Sequence, residues 1–124
     1  MLAIAPGCEL EVQRGPDLLV VRIKNFDPTE PDSSSLVDRI WNILEQHFTY
    51  RLVLEMDEVP LLNSDLIDQL IDLSWRIEKR DGVLRLCGLS PANLRVLRAC
   101  RLDKRLPPYR DSQEAVMGRP RQPR

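Results

Sequence analysis

Residues 51–87 read strand, helix, strand, and that order of periods constrains the chain more than any other feature. Arg51-Leu52-Val53-Leu54-Glu55-Met56 is apolar at consecutive positions, as in a strand covered on both faces. After a short link, Leu66, Ile67, Leu70, Ile71, Leu73 and Ile77 recur at helical spacing, predicting a helix from about Ser64 to Arg80 that Asp81-Gly82 ends. Val83-Leu84-Arg85-Leu86-Cys87 is a second strand of the buried type. Two such strands joined by a helix pair in parallel through a right-handed crossover, with the helix against the sheet.

The flanks extend this unit. Glu9-Leu10-Glu11-Val12 alternates, Arg14-Gly15-Pro16-Asp17 reads as a turn, and Leu18–Ile23 is an apolar run suited to antiparallel pairing with the first. Asp27–Ser34, with two prolines and several small polar residues, is a loop. Leu36, Val37, Ile40, Ile43, Leu44 and Phe48 predict a helix over 36–48, with Ser35 at its cap, Asp38 in the capping-box position and His47 near its C-terminal end. Ser90-Pro91 opens another helix, whose Leu94, Val96, Leu97 and Cys100 share an arc opposite Arg95 and Arg98. Leu106-Pro107-Pro108-Tyr109 fits only a sheet edge, and Asp111 or Ser112 caps a last short helix through Met117. The expected fold is α/β, a mixed and mostly parallel sheet of about four to five strands with three to four α-helices. It forms a single domain over 1–117, with a disordered basic tail over 118–124.

Composition narrows the function. With 124 residues, 43% hydrophobic and 30% charged, the chain is of ordinary globular type. No apolar run is long enough to cross a bilayer, and the N-terminus has no basic leader, so neither a membrane span nor a signal peptide is expected. Cys8, Cys87 and Cys100 are odd in number and form no CxxC pair, which points to buried or neutral thiols in a reducing, cytoplasmic setting. Residues 1–62 hold five Lys/Arg and eleven Asp/Glu, whereas 63–124 hold thirteen and eight. Arg95, Arg98, Arg101, Lys104 and Arg105 could face nucleic acid, but without interleaved aromatics they read better as a solvated face.

No catalytic constellation is present. His47 is the only imidazole, and GxSxG, GxGxxG and the phosphate-binding GxxxxGK[ST] are all absent. No cofactor and no metal site are expected. An alternative reading, a small ligand-binding or enzymatic domain, would use Glu55, Asp57 and Glu58 with Asn63 at a strand end.

The most specific segment is Leu52–Leu70, LVLEMDEVPLLNSDLIDQL, a buried strand leading through an acidic link into a polar helix start. It resembles the STAS family of anti-sigma factor antagonists, in which such a strand leads into an Asp-Ser-Ser-Gly or similar loop. GVLRLCGL over 82–89, SPANLRVLRACRL over 90–102 and YRDSQEAV over 109–116 are similar to the segments that follow in that family. The resemblance spans roughly residues 8–117. It implies a non-enzymatic regulator that docks through Asn63, Ser64, Asp65, Leu66 and Ile67 on an anti-sigma factor or related serine kinase. Stressosome-like scaffolds and lipid-transport complexes are other assemblies the family enters. Asn63 stands at the family's usual Asp, Ser64 at its first Ser, and Leu66 at its common Gly. Asp65 stands where many members carry the phosphorylated hydroxyl, so that switch cannot operate at this position. Ser64 is the remaining candidate for phosphorylation, though a hydroxyl spent on capping the helix would be a poor substrate.

Overall fold

The computed structural model describes residues 2–5, 8–15, 17–24 and 36–118. In chain order its elements are β1 (Leu2–Ala5), β2 (Cys8–Arg14), β3 (Leu19–Lys24), α1 (Leu36–Gln46), β4 (Arg51–Glu55), α2 (Ser64–Glu78), β5 (Val83–Cys87), α3 (Pro91–Ala99), β6 (Pro108–Tyr109) and α4 (Ser112–Met117). Among the described residues the strands form one sheet in the order β1-β2-β3-β4-β5-β6. The first three are antiparallel neighbours, and β3 through β6 pair in parallel. The expected mixed α/β architecture is present, and β1 adds a strand to it. LAIA is too short to show a period of its own, so only its pairing with β2 reveals it.

Alternation along the strands sorts side chains onto two faces. Leu19, Val21 and Ile23 of β3, Leu52 and Leu54 of β4, and Leu84 and Leu86 of β5 meet α1, α2 and Leu97 of α3 in the main core. From α2 come Leu66, Leu70, Leu73 and Ile77, the positions its helical period selects. Val20, Val53 and Cys87 point the other way, onto Ala115 of α4 and Tyr109. Covering on both faces is why β4 reads as an unbroken apolar run.

Several local expectations change. α1 stops at Gln46, and Phe48 is not on its apolar face: it is 87% exposed, with φ at 50°. The chain reverses there, with the His47 amide donating to the Ile43 carbonyl and the Thr49 amide to that of Leu44. His47 therefore lies just past the helix. Asp38 pairs with Arg76 of α2 at 3.0 Å, while Ser35, the loop over 27–34 and the tail beyond Gly118 lie outside the described residues. Cys100 is exposed rather than on the buried arc, because α3 ends at Ala99 and Arg101 turns the chain at φ 57°. Asp111, not Ser112, caps α4 and accepts from the Glu114 amide at 3.0 Å. No described helix is long and apolar enough to cross a membrane.

Candidate functional site

The link from β4 to α2 leaves the sheet at the C-terminal ends of its parallel strands, where the register sets Arg22, Glu55 and Cys87 side by side. Glu55 is buried, and Arg22 donates to its Oε2 from both Nε, at 3.1 Å, and Nη2. That hydrogen bond, with the carboxylate's charge, raises the Arg22 pKa above its ordinary value. Glu55 is thus engaged within the fold, while Asp57 and Glu58 face solvent. Among the described residues no group of three or more His, Cys, Asp or Glu side chains could hold a metal ion. The Asp57 carboxylate lies against Gly88, where a Cβ would sit 2.3 Å from its Oδ1; Gly88 also has φ at 72°, open to glycine.

Burial, and after it the charges of Glu55 and Asp57, push the Cys87 thiol up from 9.0 to about 12. An unfolded thiol ionises near 9.0 while the folded one stays protonated. The contribution of this group to stability is therefore complete below that pH and declines as pH rises from 9.0 toward 12. Alkylation with iodoacetamide near pH 8 is expected to modify Cys100 readily and Cys87 only after denaturation, as peptide mass mapping would report.

The helix start is held by Asn63. Its backbone is extended, at φ −96° and ψ 173°, and its Oδ1 accepts from the Leu66 amide at 2.8 Å. The Ile67 amide then donates to the Asn63 carbonyl, closing the first turn. Replacing Asn63 by Ala is expected to cost about 1 kcal/mol in urea unfolding, with Asn63→Asp near wild type.

Because Asn63 takes the capping role, Ser64 stands at the first helical position with its side chain exposed, and Asp65 is exposed beside it. The carboxylate of Asp65 accepts from Gln69 Nε2 at 3.1 Å, and Gln69 Oε1 accepts from the Val37 amide at 3.2 Å. Gln69 so supplies an acceptor to the first turn of α1 and ties it to the start of α2. Of the five residues singled out here, Leu66 is buried at 1% exposure and Ile67 is half-buried. Leu66 anchors the turn from within; Ser64 and Asp65 form its outer surface, with Asn63 at its edge.

Two buried amides escape a reading by period. Gln69 and Asn93 each interrupt an apolar arc, three residues after Leu66 and four before Leu97, and an amide in such a position is the available signal. Of the basic residues considered for nucleic acid, Arg95, Arg98, Arg101 and Lys104 are exposed. Arg105 turns inward, donating to Ser74 Oγ at 2.9 Å, pairing with Glu78 at 3.2 Å and lying 4.1 Å over the Trp75 ring.

The family model described as STAS domain matches residues 9–115. No curated protein matches the chain. Among solved structures, an anti-sigma factor antagonist from Mycobacterium paratuberculosis is 21% identical, with 88% of this chain and 91% of that one covered at a TM-score of 0.72. An anti-sigma factor antagonist domain protein from Planctomyces limnophilus is 23% identical over 88% and 96%, at 0.69. The Bacillus cell fate determinant SpoIIAA in its phosphorylated form is 11% identical over 89% and 99%, at 0.62. At these identities the likeness is one of fold.

Proposed function

The chain belongs to the STAS domain family, and from that footing we propose that it acts in the cytoplasm, without catalysis, by docking on an anti-sigma factor or related serine kinase through the start of α2. One observation carries the proposal: Asn63 caps the helix, so the Ser64 hydroxyl and Asp65 carboxylate stand exposed together on a buttressed turn. A surface already ordered loses little entropy on binding. Its charge comes from a carboxylate that Gln69 orients.

Regulation passes to Ser64. A structural relative, SpoIIAA, has been solved in phosphorylated and unphosphorylated forms. In this chain the hydroxyl is free of the capping role that would have kept it from a kinase. A phosphate there adds about −1.5 to −2 charges beside Asp65 and reshapes the docking surface. The test is affinity capture from native lysate, with partners identified by mass spectrometry, comparing wild type, Asp65→Lys and Ser64→Glu. Capture of a protein with an anti-sigma-type kinase domain by wild type, and its loss with both variants, supports the reading. Equal capture by all three overturns it.

A further inference from the structure

Asn93 is fully buried at the third position of α3, where its own amide donates to the Ser90 hydroxyl at 3.1 Å. Its carboxamide reaches across to the link that precedes α2. Oδ1 accepts from the Leu62 amide at 2.9 Å, and Nδ2 donates to the Val59 carbonyl at 3.2 Å. One side chain thus satisfies a buried donor and a buried acceptor three residues apart, a pairing that no apolar residue of similar volume could supply. The consequence falls on the residues between. Val59 and Leu62 point into the core, at 4% and 3% exposure, and Leu61 is left 54% exposed two residues before Asn63. Other contacts brace the same link from the side of β5. The Met56 amide donates to the Cys87 carbonyl at 2.8 Å, and Asp57 packs on Gly88.

Resting on the docking reading above, we propose that Asn93 is the positioning residue of that surface: it holds the link to α3 so that Leu61 stands out beside the α2 start as the contact for an apolar socket on the partner. The docking surface then extends from the turn at Asn63 to Leu61, and the start of α3 governs its shape without touching the partner. A rigid apolar side chain beside oriented polar groups is the arrangement that concentrates binding energy in a few residues.

The Asn93→Asp variant separates positioning from simple packing. A protonated carboxyl copies the amide, donating to the Val59 carbonyl and accepting from the Leu62 amide. An ionised one presents only acceptors and repels that carbonyl. Burial keeps the proton on to a pH above the ordinary carboxylate range. Amide exchange, corrected for intrinsic rates, is followed in the full chain at about pH 5 and about pH 8, with Leu54 of β4 as the reference. Capture of the kinase recovered above is measured at the same two pH values for wild type, Asn93→Asp, Leu61→Ser and Asp65→Lys. The ionised carboxylate repels the Val59 carbonyl and drives the link away from α3. The expected result is therefore a Leu62 amide protected as in wild type at the lower pH and exchanging about 10-fold or more faster at the higher, with Leu54 unchanged. Capture by Asn93→Asp should follow the same pH course relative to wild type, and Leu61→Ser should lose it at both.

Exchange at Leu62 that is independent of pH in Asn93→Asp overturns the proposal, since the carboxamide then does not hold the link. So does full capture by Leu61→Ser while Asp65→Lys fails, an outcome that leaves the docking reading standing. If Asp65→Lys also captures normally, the docking reading fails and this inference falls with it.

Discussion

Asp65→Lys is expected to weaken binding of the partner by about 10- to 100-fold while the protein stays folded. The two halves of that result have separate causes. On the proposed docking surface, a cation in place of the carboxylate exchanges attraction for like-charge repulsion across the contact, a change of about 1.4–2.7 kcal/mol for that factor. Inside the chain the change is smaller. Asp65 is exposed, its Oδ2 receives one hydrogen bond from Gln69, and Gln69 retains its bond to the Val37 amide. Loss of that bond, together with a cation at the positive end of the α2 dipole, destabilises the fold by about 1 kcal/mol. Asp65→Asn keeps an acceptor for Gln69 and removes only the charge, so it should fall between wild type and Lys. Calorimetric titration with the purified partner measures the binding, and urea unfolding of the same variants measures the fold. If Asn binds like wild type and only Lys fails, the loss comes from the introduced lysine and not from removal of the carboxylate's charge.

Gly82→Ala is expected to give a large loss of stability, about 3 kcal/mol, out of a total that for domains of this size is about 5–15 kcal/mol. Its backbone runs against the strand that α2 must clear before β5 begins. A Cβ there would sit 2.0 Å from the Tyr50 carbonyl oxygen and 2.8 Å from Ile77 Cγ2. Neither neighbour can give way freely. The Tyr50 carbonyl accepts from the Val83 amide at 3.0 Å, so moving it breaks the start of the β4–β5 pairing, and Ile77 is in the core. The Gly82 amide itself donates to the Ile77 carbonyl at 3.0 Å, which forbids a compensating shift of the turn. Gly15→Ala is the control. Its Cβ would meet nothing nearer than 3.2 Å, the flexible end of Leu18, and its stability should stay within about 1 kcal/mol of wild type. Comparable losses at both positions in urea unfolding would show that the Tyr50 contact does not set the effect, since restricting the unfolded chain by itself stabilises.

Most elements were legible because their signal is local. The apolar period of α2, the run of β4, the Ser90-Pro91 entry to α3 and the edge placement of Pro108-Tyr109 follow from side chains within a few residues of one another. The misread ends are the places where local signal competes with a reversal of the chain. Phe48 and Cys100 both continue an apolar spacing, yet each lies beyond its helix, where positive φ at Phe48 and Arg101 turns the backbone and leaves the side chain outside.

The candidate site divides along the same line. By itself the sequence determined that a polar Asn-Ser-Asp begins a helix after a buried strand, and therefore that a charged turn stands at one end of a parallel sheet. Which of the three polar groups caps and which remain free was decided by backbone geometry at Asn63, since either Asn or Ser has the chemistry to cap. The union of Asp65, Gln69 and Val37, and the grip of Asn93 on Val59 and Leu62, were decided only in the tertiary structure. Local periodicity reports which face of an element is covered. It carries no information on which backbone groups, some thirty residues away in the chain, a buried amide will meet.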